Sequence, residues 1–442
     1  MKKRNTFSRI GFVLATAGSA VGLGNVIRFP FVMGENGGGA FFAIYLISIL
    51  IMGASVMLTE MLLGYKGHAA AAGAFEKLAI RGNTVWKAIG WGVSASANVI
   101  FSYYVILLAW IVGYVWLSLT GSLPHLAADA DKAFGIIRGD MFNTFLFGGA
   151  IFVLSFYVVA KGVTNGIEKL NLVLMPAILI IFGGLLVYSV TLDGFDKAVV
   201  FMFHIDFSKI TVPVVISAIG MSFFTLSLGT GIVLAYSASL PENMNLVKSI
   251  GYVILLDTTI AIMSGLMIFS FLFTYGGDPS AGFGLVFITL STVFANLGVW
   301  GDVLGVAFFI ALLFAGVTSS VSMVEPMLKS VHVRFNVSRA KAAWILGVPT
   351  AFLSSSVVLS LGGYLGDGGT LLDKLDFILS NVLLPTGALM TTVFVGWFMH
   401  KSTVREAIDN KLGIFFNVWY VIIKYLAPIA LILVLLSLLG VI

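Results

Sequence analysis

Gly18-Ser19-Ala20-Val21-Gly22-Leu23-Gly24-Asn25 and, much later in the chain, Ser222-Phe223-Phe224-Thr225-Leu226-Ser227-Leu228-Gly229-Thr230-Gly231 each set two glycines at i, i+2 beside polar side chains in the middle of an apolar run. Glycine in a helix interior costs about 1 kcal/mol relative to alanine, so both stretches are expected to break their helices. Small residues also serve close packing between membrane helices. Those seams repeat at i, i+4, whereas these pairs stand at i, i+2 with hydroxyls and an Asn among them. In hydrocarbon an unpaired amide or carbonyl costs several kcal/mol, and an unwound segment persists there only where it lines a cavity or holds something. Half-helix N-termini offer amides to a carboxylate, freed carbonyls suit a cation, and two matched breaks imply two structural repeats.

The surrounding composition supplies the membrane. The chain has 442 residues, 59% hydrophobic and 10% charged, with a mean hydropathy of +1.05, which is more apolar surface than one soluble core can hide. Runs of about 20 apolar residues, each long enough to cross roughly 30 Å of hydrocarbon as a helix, recur along the whole sequence. About eleven are expected, near 10–32, 40–64, 88–118, 142–160, 167–191, 211–238, 248–274, 301–331, 342–363, 374–399 and 415–441. The stretch 283–297 is too short to span and reads as a re-entrant or surface helix, placed to cap an external cavity. The first run carries no small-residue cleavage pattern, so it reads as a retained helix.

Charge sets the expected orientation. Basic residues gather in alternate connections: Lys2, Lys3, Arg4 and Arg9 before the first run, Lys66, Lys77, Arg81 and Lys87 after the second, and Lys329, Arg334, Arg339 and Lys341 around the connection that follows the eighth. The opposite connections hold acids such as Asp129, Asp131, Asp140, Asp193, Asp196 and Asp206. The N-terminus is therefore expected in the cytoplasm and, with an odd number of spans, Ile442 outside. The same distribution turns the net charge of +5 toward lipid orientation and away from nucleic acid. There is no cysteine, and the five histidines are scattered without metal-ligand spacing.

Three function classes compete at this point: a secondary transporter, a polytopic membrane enzyme and an ion channel. No nucleophile or acid–base cluster falls at one membrane depth, no filter segment repeats, and no ATP-binding loop is present, which favours a transporter driven by an ion gradient.

Further residues carry a family resemblance. Arg9-Ile10-Gly11-Phe12, Ala17 to Asn25, Arg28-Phe29-Pro30 and Glu35-Asn36-Gly37-Gly38-Gly39-Ala40-Phe41, then Phe223 to Gly229, Ala315-Gly316-Val317-Thr318-Ser319-Ser320 and Leu375-Asp376-Phe377, resemble the neurotransmitter:sodium symporter family over essentially the whole chain. The resemblance implies an all-α polytopic membrane protein with about eleven transmembrane helices in an inverted five-plus-five repeat, helices one and six unwound at mid-membrane. Residues 1–191 would be the first repeat, 192–400 the second, and 401–442 a peripheral eleventh helix. The implied activity is sodium-driven amino-acid symport by alternating access across a bacterial inner membrane.

The resemblance also implies sites. A first sodium ion would lie at Ala20, Asn25, Thr225 and Asp257, shared with the substrate carboxylate, and a second at Gly18, Val21, Ala315, Thr318 and Ser319. Hard cations favour such all-oxygen cages, although membrane hydroxyls such as Thr318 and Ser319 as readily tie helices together. The carboxylate would meet the Leu23 and Gly24 amides and the Tyr104 hydroxyl. Ile100, Phe224, Ser227, Thr230, Ser320 and Met323 would surround the side chain, with Phe224 and Tyr104 as the lid. Thr230, where some relatives place a bulky aromatic, and the adaptable Met323 favour a hydrophobic or aromatic substrate. Arg28 and Asp376 would pair to close the external route, against simple snorkelling of the arginine. Glu60, costly within a span unless engaged, reads as a brace for the breaks.

Departures from the family pattern carry their own expectations. Val333 replaces the acid of the cytoplasmic gate, leaving either Glu325 as the candidate partner for Lys3 or Arg4 or a gate that needs no salt bridge. Gly166 and Pro176 have the spacing associated with local unwinding of helix five. Asp257 falls where chloride-dependent relatives carry Asn, and Ala261 lacks the hydroxyl or acid used near the anion, so transport is expected to be independent of chloride.

Overall fold

The computed structural model describes residues 6–122, 130–242, 244–279, 285–297, 299–365 and 370–441. These residues form helices and connections without a strand, as hydrocarbon demands when every backbone group must pair within its own segment. Nine described helices are long and apolar enough to cross a membrane: Gly39–Gly67, Asn83–Leu119, Met141–Ala160, Val163–Ser189, Leu246–Thr274, Trp300–Arg334, Arg339–Leu361, Thr370–Phe398 and Gly413–Leu438. Arg9–Ala20 and Gly24–Glu35, bent by 50° at their junction, make a further broken span. The expected run near 211–238 consists of two short helices, Val212–Thr225 and Ile232–Ser237. Spans are numbered one to eleven in chain order below, the broken pairs counting as spans one and six.

Burial sorts the spans into centre and rim. Spans three, seven and eight are each 67% buried over their most apolar window, whereas spans five and nine are 28% buried and span eleven 33%. The rim spans turn apolar stripes outward. On span five Val173, Ile180 and Val187 are 67%, 74% and 71% exposed, and on span nine Trp344, Val348 and Phe352 recur at i, i+4 and i+8, each set lying on one helical face. The centre is where unwound backbone is tolerated, because neighbouring spans shield it from lipid.

Both expected breaks are present. Span one is α-helical from Arg9 to Ala20, leaves that geometry at Val21 (ψ 90°), and resumes as a π-turn at Gly24–Arg28. Span six stops at Thr225 and restarts at Ile232, and the segment between holds three residues of positive φ: Ser227 at 54°, Gly229 at 83° and Gly231 at 70°. Gly229 also touches span ten backbone to backbone, since a Cβ there would lie 2.1 Å from the Leu384 carbonyl oxygen. Reciprocally, a Cβ on Gly387 would lie 2.1 Å from the Gly229 carbonyl oxygen.

At the N-terminal end of the bundle the chain is latched. Phe7 donates its amide to the Ser239 carbonyl at 3.0 Å, and both the amide and the hydroxyl of Ser8 donate to Glu168. Lys3 and Arg4 lie outside the described residues. Glu325, the candidate partner, is itself paired with Arg339, with Nη1 to Oε1 at 3.2 Å. Lys329 caps the end of span six, donating to the Ala235 carbonyl at 2.8 Å and to Ser239 Oγ at 2.7 Å. Helix five is not unwound between Gly166 and Pro176. A π-turn at Val163–Glu168 runs into an α-helix that contains Pro176, and Gly166 seats its backbone against the Val158 carbonyl, where a Cβ would come within 1.9 Å of the oxygen. The region 283–297 is helical at Leu285–Leu290 and Ser291–Asn296, while Phe283 lies outside the described residues.

Candidate substrate and ion site

The two breaks meet directly, with Ser227 Oγ donating to the Ser19 carbonyl at 2.8 Å. Positive φ at Ser227 turns that hydroxyl toward span one, and the carbonyl it satisfies is one that the break has freed. Beside this junction is a cavity of about 350 Å³ walled by spans one, three, six, eight and ten. Its lining includes Leu23, Gly24, Ile100, Tyr104, Phe224, Ser227, Thr230 and Met323, together with Ala20, Gly22 and Ser319.

The polar end and the apolar wall are distinct. Tyr104 Oη lies 3.4 Å from the Leu23 amide, which points at it from the break. That pairs a hydroxyl with a backbone N–H at the start of a half-helix, an arrangement suited to a carboxylate. Ile100, Phe224, Ile232 and Met323 face the same space and offer only apolar surface.

Ser320 stands outside this wall. Its hydroxyl donates to the Val317 carbonyl at 2.9 Å and lies 2.9 Å from Ser155 Oγ, so it faces span four. Its neighbour Ser319, about 100° around the helix, faces span one, donating to the Gly18 carbonyl at 3.3 Å. The substrate-facing position expected of Ser320 is therefore corrected by the rotation of span eight.

The mouth of the cavity also differs from expectation. Arg28 and Asp376 both line the cavity without forming an ion pair within 4.0 Å. The Arg28 guanidinium lies instead over the Phe224 ring, 4.0 Å from its centroid, a cation–π contact worth about 0.5–2 kcal/mol. Asp376 Oδ1 accepts from Tyr103 Oη at 3.0 Å and from Ser380 Oγ at 2.9 Å. Tyr103, Ser380 and Asn381 are lining residues that the sequence reading missed. Ser380-Asn381, two polar side chains within an apolar run, were the available signal. Tyr104 lies deeper, against the break, and Tyr103 is the tyrosine that reaches the mouth.

Behind the cavity lies a buried polar cluster. Asn25 Nδ2 donates to Asp257 Oδ1 at 2.8 Å and to the Asp257 carbonyl at 3.2 Å. Tyr45 Oη lies 3.4 Å from Asp257 Oδ2 and 3.3 Å from Thr225 Oγ1. Asp257 is fully buried, and Asn25 Oδ1 has no hydrogen-bond partner. A buried carboxylate next to an unsatisfied amide oxygen is a donor set that fits a hard monovalent cation.

A second group of oxygens gathers where span one meets spans five and eight. Thr318 Oγ1 donates to the Ala315 carbonyl at 2.9 Å, and Ser319 Oγ reaches Gly18 as described, close to the point where Val21 leaves the helix. Asn171 Oδ1, buried without a hydrogen-bond partner, presses on Gly18 so closely that a Cβ there would lie 2.0 Å away. Glu60, also fully buried, accepts the Gly229 amide on Oε1 at 2.7 Å. That bond secures the backbone of the second break.

A model of the sodium:neurotransmitter symporter family matches residues 4–134 and 132–441. The chain belongs to that family. An uncharacterized sodium-dependent transporter of Bacillus subtilis, YhdH, is 34% identical over 442 residues, spanning 98% of this chain and 97% of its own length. A second, MJ1319 of Methanocaldococcus jannaschii, is 31% identical over 450 residues, covering 97% of this chain and 88% of the relative. Among solved structures, MhsT in complex with L-phenylalanine superposes with a TM-score of 0.88 at 36% identity, covering 99% of this chain and 100% of MhsT.

As a member of this family the protein is a sodium-dependent transporter, a multi-pass membrane protein and not an enzyme. A cargo cation must shed its water to enter the bundle, and oxygens chemically able to replace that water include the orphaned Asn25 Oδ1 beside the Asp257 carboxylate.

Proposed function

We propose that the protein carries a hydrophobic or aromatic amino acid into the cell with two sodium ions, without a need for chloride. Two repeats, residues 1–191 and 192–400, alternate access to a site between spans one and six. The observation that carries this reading is the cavity of about 350 Å³ at the paired breaks, within the range of about 300–1,000 Å³ usual for small-molecule sites. Its polar end supplies the Leu23 amide and the Tyr104 hydroxyl for a carboxylate. Part of its wall, around Ile100, Phe224, Ile232 and Met323, is apolar, which suits an uncharged, bulky side chain. The phenylalanine complex of MhsT supports the same substrate class.

One sodium ion is assigned to Ala20, Asn25, Thr225 and Asp257 with the substrate carboxylate, and the other to Gly18, Val21, Ala315, Thr318 and Ser319. Sharing the carboxylate couples the two cargoes, because the ion pairs the buried carboxylate and the carboxylate completes the oxygen shell of the ion. The positive-inside pattern supports an N-terminus in the cytoplasm, with the protein in a bacterial inner membrane.

In proteoliposomes, uptake of a labelled substrate is expected to require an inward sodium gradient and to fall to background when choline replaces sodium. Equal uptake in the two salts overturns the reading. In a competition panel, leucine, tyrosine, tryptophan and phenylalanine are expected to displace label more effectively than glycine, lysine or glutamate. Displacement led by glycine or by a charged amino acid would reject the apolar wall as the determinant of specificity.

A further inference from the structure

Between spans one and seven, at the end of the bundle where the chain begins, lies a groove of about 660 Å³ that is separate from the substrate cavity. Its rim carries Arg9 and Lys248, and its wall includes Val13, Leu14 and Leu255. Neither cation takes part in an ion pair among the described residues. Lys248 stands in the first turn of span seven, which begins at Leu246, and Arg9 is the first residue of the helix in span one. Both therefore mark one level of the bundle. Leu255, seven residues beyond Lys248, lies about 10 Å deeper along the helix. Tyr252, between them, is 57% exposed and Leu255 62% exposed, so the groove opens sideways toward lipid.

This gradient from two cations, past an exposed tyrosine, to an aliphatic wall matches one kind of molecule. Tyrosine concentrates at membrane interfaces, and basic groups at that level attract anionic headgroups. A soluble anion would leave the aliphatic wall unused. A zwitterionic lipid would bring its own cation against Arg9 and Lys248.

We propose that the groove binds an anionic phospholipid, its phosphodiester held between Arg9 and Lys248 and an acyl chain laid along Val13, Leu14 and Leu255. The lipid bridges the helix that carries Gly18 and Ala20 to the one that carries Asp257. It thus ties together, from the bilayer side, two elements that form the ion cluster. In the orientation proposed above the lipid belongs to the cytoplasmic leaflet.

The test uses the full chain, purified and exposed to equimolar phosphatidylglycerol and phosphatidylcholine of the same acyl composition, with retained lipid counted by native mass spectrometry. The parent is expected to retain phosphatidylglycerol at least about fivefold over phosphatidylcholine. R9Q with K248Q should bring the ratio close to one although Lys2, Lys3 and Arg4 remain, and R9K with K248R should keep the preference. Glycerol 3-phosphate at equal concentration should not displace the lipid. Equal retention of both lipids by the parent overturns the proposal, as does an undiminished preference in R9Q with K248Q. Displacement by glycerol 3-phosphate overturns it too, by marking a site for soluble anions.

Discussion

Asp257→Asn is expected to lower sodium-driven uptake in gluconate medium by more than tenfold, while the parent transports equally well in gluconate and in chloride. The substitution keeps the shape of the side chain and removes its charge. Asp257 Oδ1 accepts from Asn25 Nδ2 at 2.8 Å, and the Asn oxygen can take over that bond with its amide turned to the Tyr45 hydroxyl, so the fold should survive. The field is what changes. Unit charges about 4 Å apart interact by roughly 4 kcal/mol at an effective dielectric constant of 20, far more than the 1.4 kcal/mol that corresponds to a factor of ten. With Ala261 one turn further on span seven, buried and without a polar atom, the fixed carboxylate is the negative charge available beside Asn25. Uptake in the two anions, measured for parent and variant, decides the matter. A parent that requires chloride, or an Asn variant that transports normally in gluconate, would refute the assignment.

The parts of this structure that were legible in the sequence are those set by the solvent. Hydrocarbon thickness fixes how many apolar residues a span needs, which is why the run expected at 248–274 appears as Leu246–Thr274 and that at 142–160 as Met141–Ala160. The breaks were legible because paired glycines at i, i+2 have no cheap place in a continuous helix, and three positive φ angles at Ser227, Gly229 and Gly231 realise that signal. What stayed hidden depends on rotation and reach. Ser319 and Ser320 are adjacent in sequence, and only the angular setting of span eight sends one to Gly18 and the other to Ser155. Arg28 has an acid and an aromatic face nearby, and the choice of Phe224 over Asp376 is made by side-chain direction. The pairing of Glu325 with Arg339 was likewise invisible, since it joins spans eight and nine across a turn whose geometry no motif announces.

The second large effect concerns backbone contact. Gly229→Ala is expected to reduce uptake at least tenfold and to lower the yield of folded protein, whereas Gly92→Ala should stay within about twofold of the parent. At Gly229 an added methyl meets two obstacles. The residue sits at φ 83°, where an L side chain costs about 1–2 kcal/mol. Its Cβ would lie 2.1 Å from the Leu384 carbonyl oxygen and 2.8 Å from the Ala388 amide nitrogen. These are backbone atoms of span ten that cannot rotate away, and overpacking of this kind costs about 1–3 kcal/mol. Relief requires the break to move off span ten, which would pull the Gly229 amide from Glu60 Oε1 and strand a buried carboxylate, a further loss of about 1–3 kcal/mol. Gly92 has nothing within 4 Å of the same added atom and lies inside span three, where alanine is the better helix former by about 1 kcal/mol. Size-exclusion yield separates loss of folding from loss of transport. If Gly229→Ala folds and transports like the parent, the close approach of span ten to the second break is not what holds that segment in its unwound form.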